Sequence, residues 1–175
     1  MLSQQWSPNQ SAPLWQGDDG PWFHDMELKH IKQVGPSCVP TTLAMLANAA
    51  GGDVSIEEMK EVINTQAPHT WSNALKPFGL QLAYCNNDQR EIGYYIEELI
   101  AMDDLFLLSF YSSQPPRHPD QNGKLCTAHI VTMCRGDIID TAKVEGRMSA
   151  ENYPRTGNIT KRIFRVVPLG HERCL

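Results

Sequence analysis

Leu105-Phe106-Leu107-Leu108-Ser109-Phe110-Tyr111 is the stretch that most narrows what this chain can fold into. A strand with one wet face alternates apolar and polar side chains. This one is apolar almost without a break and suits a strand buried on both faces, central in its sheet. The residues before it carry mostly helical spacing. Val39, Leu43, Leu46 and Ala47 repeat with that period until Gly51-Gly52 supplies a left-handed stop. Ser55-Ile56-Glu57-Glu58 has the form of a capping box and opens a second helix with Ile56, Met59, Val62 and Ile63 inward. His69 to Pro77 reads as a shorter third helix ended by Phe78-Gly79. Ile92, Tyr95, Ile96, Leu99 and Ile100 place a fourth over residues 89–102, closed by Asp103-Asp104.

Strand patterns fill most of the remainder. Residues 80–85 alternate loosely, residues 127–134 and 138–141 form a hairpin about Arg135-Gly136, and residues 163–167 make a last strand. Pro115-Pro116, His118-Pro119-Asp120 and Asn122-Gly123 make 112–124 a long loop, and residues 143–161 read as polar loop. Residues 1–30 are irregular, with Trp6, Trp15, Trp22 and Phe23 as anchors. No repeat or linker splits the 175 residues, so a single domain is expected.

Charge and cysteine usage exclude some partners. A net charge of −5 and a pI near 5.6 argue against nucleic acid or an anionic membrane as the main partner, since both call for a clustered positive surface. No apolar run is long enough to span a bilayer, and the first residues lack the basic-then-apolar layout of a secretory signal. The expected location is the cytoplasm, or outside it by a route without a cleaved signal peptide. Five cysteines without a repeating spacing are a poor disulfide framework. Zinc held by Cys126, His129 and Cys134 would need them on one side, but a strand turns His129 to one face and the two cysteines to the other. No metal or cofactor is expected. Nothing in the patterning assigns an oligomeric state.

The chemistry concentrates in Gln33-Val34-Gly35-Pro36-Ser37-Cys38-Val39-Pro40-Thr41-Thr42-Leu43-Ala44-Met45-Leu46. Gly35 and Pro36 punctuate the backbone, Cys38 stands where an N-cap residue would, and Pro40 occupies the first turn, where its missing N–H costs nothing. At a helix N-terminus the unpaired donors and the macrodipole favour the thiolate, the form that attacks carbonyl carbon. Gln33 can turn its amide to the same point and, with the Cys38 backbone N–H, hold a developing oxyanion. Ser37 has no motif around it that would make it a rival nucleophile.

The hairpin offers the partners. If Arg135-Gly136 is a two-residue turn, Cys134 pairs with Asp137 and Val131 with Asp140. His129, Val131 and Asp140 then share a face, with Asp140 diagonal to His129, while Asp137 faces the other side with Cys134. Period-two geometry thus selects Asp140 to orient the imidazole, which in turn supports a thiolate at Cys38. Asn158 is a remote substitute for the acid. Among the other histidines only His30, close to Gln33, is placed to line a cleft.

Gln, a short Gly/Pro/Ser loop, Cys-x-Pro and a small-residue helix resemble the nucleophile region of papain-fold cysteine peptidases. The likeness is closest to the double-glycine (bacteriocin-leader) peptidases and their stand-alone relatives, although Val39 stands where many of them carry Gly. The order Cys, His, Asp fits the same group. The resemblance implies an α+β papain-like fold, its N-terminal helical half packed on a C-terminal antiparallel sheet that carries His129. It also implies a cysteine hydrolase that cleaves an amide bond in a protein or peptide through an acyl-enzyme. Cys38 is the nucleophile, His129 the base, Asp140 the acid and Gln33 the oxyanion donor. A peptide bond, an isopeptide bond or a glutamine amide would each suit that chemistry. Acyl transfer to an amine, as in transglutaminases, would use the same site, and a papain-fold module retained only for binding would keep the fold without the turnover.

Overall fold

The computed structural model describes residues 12–112 and 128–175. Among the described residues the strands are β1 (Leu80–Tyr84), β2 (Leu105–Tyr111), β3 (Ala128–Cys134), β4 (Asp137–Ile139), β5 (Arg147–Ser149) and β6 (Thr160–Pro168). They form one antiparallel sheet in the order β1-β6-β2-β3-β4-β5, so the apolar run is an interior strand between β6 and β3. Its two faces are both covered. Phe106, Leu108 and Phe110 pack with Leu14, Trp15, Tyr153 and the α4 helix (Ile96–Met102). Leu105 and Leu107 pack with helices α1 (Cys38–Ala49) and α3 (Pro68–Leu75). Removing such side chains from water contributes on the order of 1.5–3 kcal/mol each, which makes this strand the natural centre of the layers.

Helix α1 stops where the glycines stand. Gly51 takes φ 101°, and the Gly52 N–H donates to Ala47 O at 2.9 Å, capping a carbonyl the helix leaves free. Helix α2 (Ile56–Val62) opens on the expected capping box, with the Glu58 N–H on Ser55 Oγ at 3.0 Å and the Ser55 N–H on Glu58 Oε1 at 3.1 Å. Its apolar stripe is narrower than expected. Met59 alone is buried, and Val62 is 62% exposed, because the chain turns extended at Ile63 and the helix is only about two turns long.

Two other elements depart from the sequence pattern. The helix expected over 89–102 begins only at Ile96, after a 3-10 turn over Ile92–Tyr95. The N–H groups of Ile92 and Gly93 are taken by the carbonyls of Asn158 and Thr156, at 3.0 and 2.8 Å, so long-range bonds replace the first helical turn. Within the stretch read as polar loop, Arg147–Ser149 pairs with Asp137–Ile139 as the edge strand β5. Three exposed or half-buried residues are too few to show a period. Strand β6 also extends beyond the expected 163–167 at both ends.

Among the described residues, the segment before α1 carries no helix or strand and crosses the sheet as a strap. Leu14 and Trp15 are buried on the α4 side, with the Leu14 N–H on Glu98 Oε2 at 2.6 Å. Trp22 and Phe23 donate their N–H groups to Asp104, just before β2, and Arg135 at the β3–β4 turn reaches His24 O. Leu28 and Ile31 then pack on the α1 side, and the Gln33 N–H meets Thr141 O at 2.8 Å. Entering at the β2 start and leaving beside Thr141, the strap delivers Gln33 and α1 to the end of the sheet where β3 begins. Trp6, Cys126 and all but the first residue of the 112–124 loop lie outside the described residues.

Candidate active site

Cys38, His129 and Asp140 each sit at an element boundary, and Gln33 lies in the strap before α1. Cys38 is the first residue of α1 and Ser37 its N-cap, so the helix begins one position earlier than the sequence suggests, with Pro40 still in the first turn. Ser37 does not cap α1 with its side chain. It donates to Val34 O at 2.8 Å, accepts the Val34 N–H at 3.1 Å, and lies 3.2 Å from Thr41 Oγ1. The buried hydroxyl thereby ties the Gly35-Pro36 loop to the helix and fixes where Cys38 emerges. Being in the first turn, Cys38 keeps a backbone N–H with no intrahelical acceptor.

The β3–β4 hairpin has the two-residue register. Cys134 pairs with Asp137, Met133 with Ile138 and Thr132 with Ile139, so Asp140 follows directly on the His129 side. His129 Nε2 lies 2.7 Å from Asp140 Oδ1, both side chains being buried. Cys38 is close enough for its sulfur to act on the same imidazole. Phe110 meets the ring edge-on, with centroids 5.6 Å apart.

Burial works against a charge on the imidazole. The hydrogen bonds to Asp140 and Cys38 and the charge of Asp140 overcome it, carrying His129 from an ordinary 6.5 to about 9. Burial likewise works against the Asp140 carboxylate. The His129 hydrogen bond and charge, the Tyr153 hydroxyl and the Ala142 N–H outweigh it and hold the acid at about 2, below an ordinary 3.8. The pair is therefore an imidazolium facing a carboxylate across most of the physiological range.

Gln33 is clamped rather than free. Its Oε1 accepts Thr141 Oγ1–H at 2.8 Å, and one Nε2 hydrogen goes to Gly35 O at 2.9 Å. An amide has two such hydrogens, so one remains for an oxyanion. His30 sits against Gly146, with Nε2 3.1 Å from Asp140 O. It supports the loop that carries the acid and does not face the nucleophile through any contact seen. Asn158 is not a substitute acid partner: its Nδ2 donates to Tyr111 O at 2.8 Å, away from His129. Asp137 pairs with Arg147 at 3.3 Å on the surface.

Tyr153 is the neighbour that sequence reasoning missed. Its hydroxyl donates to Asp140 Oδ2 at 2.6 Å from the polar stretch after β5. Nothing in the spacing of residues 143–161 marks it, beyond its being the one large aromatic there.

An α+β chain with antiparallel strands, a cysteine at the start of the helix packed on them and a histidine at the start of an interior strand has the papain-like fold. Solved structures make the likeness particular. The peptidase domain of Streptococcus ComA, a bifunctional ABC transporter involved in a quorum-sensing pathway, superposes with a TM-score of 0.52 at 18% identity, over 81% of this chain and 99% of that one. A double-glycine-motif protease from an AMS/PCAT transporter, solved with the leader peptide, gives a TM-score of 0.48 at 15% identity, over 82% of this chain and 93% of that one. The fold is therefore shared with the ComA peptidase domain. No protein-family model and no curated protein matches the sequence.

Proposed function

We propose that this chain is a cysteine hydrolase that cleaves a peptide bond through an acyl-enzyme. One observation carries the reading: a buried imidazole is bonded to a carboxylate at 2.7 Å and feels the sulfur of a helix-start cysteine. Cys38 Sγ, its proton passed to His129, attacks the carbonyl carbon, and the oxyanion that forms takes the Cys38 N–H and the unused Gln33 Nε2 hydrogen. His129 gives its proton to the leaving amine. It then takes one from the water that attacks the thioester, and the carboxylate product leaves with Cys38 regenerated. Asp140 holds the ring orientation and remains ionised throughout. A peptide is the preferred substrate because the fold is shared with a peptidase domain.

A peptide-library digestion followed by mass spectrometry tests this, with Cys38→Ala as the control. The expected result is cleavage at a consistent position and a thioester-bound fragment on Cys38 after acid quench, both lost in the variant. Neither cleavage nor a covalent fragment, from a chain that folds and binds library peptides, would leave the fold as a binding module.

A further inference from the structure

Asp140 is the most heavily bonded carboxylate at the site. Oδ1 takes His129 Nε2 at 2.7 Å and the Ala142 N–H at 2.9 Å, while Oδ2 takes the Tyr153 hydroxyl at 2.6 Å. Tyr153 is 2% exposed and set rigidly. Its N–H is bonded to Ala150 O, Ala150 is bonded in turn to Gly136 O in the β3–β4 turn, and Phe110 packs edge-on against both the Tyr153 and His129 rings. A carboxylate gripped at one oxygen can still swing about its terminal bond. A donor on the second oxygen fixes the plane.

We propose that Tyr153 is a positioning residue for the acid–histidine pair, its buried hydroxyl holding Asp140 Oδ2 so that Oδ1 stays on His129 Nε2. The inference rests on the Cys38–His129–Asp140 reading and adds a member that acts through Asp140, without touching substrate. It has an electrostatic consequence as well as a geometric one. When His129 is neutral the carboxylate charge leans on the remaining donors, so the phenol stabilises the neutral-imidazole state more than the imidazolium state. Tyr153 thereby keeps His129 able to give up its proton. Burial and the bond to Asp140 both push the phenol above its ordinary value, so it remains a donor at working pH.

The other ionisable groups facing this cluster come from three elements. Cys38 of α1 acts on His129, His30 of the strap meets the Asp140 backbone carbonyl, and Arg155 lies over Phe110 at 5.5 Å with its charge felt at Tyr153. Among the described residues, none of them reaches Oδ2.

The test is a histidine-ring NMR titration of the full chain, wild type against Tyr153→Phe, with thermal melting and peptide kinetics run beside it. The His129 inflection is expected to rise by about half a unit or more, with kcat down about tenfold and KM within about twofold. An inflection that stays put or falls, or a lowered melting temperature with kcat unchanged, would overturn the proposal and leave Tyr153 a packing residue. Should Tyr153→Phe not fold, 3-fluorotyrosine at position 153 is a stronger donor and must move the inflection the opposite way; no downward movement sinks the idea equally. Asp140→Asn separates the two readings, because it lowers the His129 inflection with no substrate present. If Tyr153→Phe raises the inflection in a chain that cleaves nothing, the peptidase reading falls and the Tyr153 inference stands.

Discussion

Asp140 and Asp137 lie three residues apart and have opposite fates. Asp140 is 2% exposed and holds three donors, whereas Asp137 makes one partly exposed pair with Arg147. Asp140→Ala is expected to reduce turnover by about 10³-fold or more, as loss of the group that orients the imidazole does in triad enzymes. It also strands the Tyr153 hydroxyl and the buried His129, at a cost of about 3 kcal/mol in unfolding free energy. Asp137→Ala should leave turnover unchanged and stability within about 1 kcal/mol. Steady-state kinetics and urea melts on the two variants check both numbers, and a damaging Asp137→Ala would contradict the hairpin register. The stability loss has a pH signature. His129 binds its proton more tightly folded than unfolded, so its contribution is whole below 6.5 and disappears as pH rises through about 9. Asp140 is more acidic folded, so its contribution is whole above 3.8 and disappears as pH falls through about 2. The wild-type advantage over Asp140→Ala should therefore be flat between 3.8 and 6.5 and shrink towards 9.

At the scale of elements, the legible parts were those whose signal is local. The Ser55–Glu58 box announces α2 because both halves of the cap lie within four residues. The β3–β4 register was readable because Arg135-Gly136 leaves room for only two turn residues, with φ of 51° and 83° there, and period two does the rest. Tyr153, β5 and the 3-10 start of the fourth helix were not readable, since each is set by a partner far along the chain: Asp140, β4 and the carbonyls of Thr156 and Asn158. The loop between β4 and β5 is set the same way, and it carries an element-scale prediction. Gly146 takes φ 68°, accepts the Asp140 N–H on its carbonyl at 2.7 Å, and lies so close to His30 that a Cβ would run into the imidazole. Gly146→Ala should displace His30 from the Asp140 carbonyl and lower kcat about tenfold while helical circular dichroism stays unchanged. Full activity in that variant would show that the loop is not a support for the acid.

For the whole molecule, the strap is what joins the His129 end of the sheet to its far end. Its anchor is Arg165 on β6, which bonds Asp104 Oδ2 at 2.7 Å, with both side chains almost wholly buried, and lies between the rings of Trp15 and Trp22 at 4.7 and 4.4 Å. Asp104 in turn receives the Trp22 and Phe23 N–H groups. The sequence showed the tryptophans as anchors but not what they hold, because a buried arginine inside an apolar strand pattern looks like a simple interruption. Arg165→Leu leaves Asp104 uncompensated and Trp22 without its cation. A loss of about 3–5 kcal/mol in a denaturant melt is expected, with proteolysis of the strap preceding global unfolding. A variant as stable as wild type would mean that the strap is held by its apolar contacts alone.

The central claim is that Cys38, His129 and Asp140 act as one unit, and cysteine labelling reads it without any substrate. Among the described residues Cys85 and Cys134 are buried, with burial pushing the first up to about 12, while Cys38 and Cys174 are both partly exposed. Exposure alone predicts similar alkylation of Cys38 and Cys174. Competitive iodoacetamide labelling near neutral pH, read by peptide mass spectrometry, should instead modify Cys38 about tenfold or more faster than Cys174, and His129→Ala should erase that lead. Equal rates in the wild type, or a Cys38 lead that survives His129→Ala, would contradict the account.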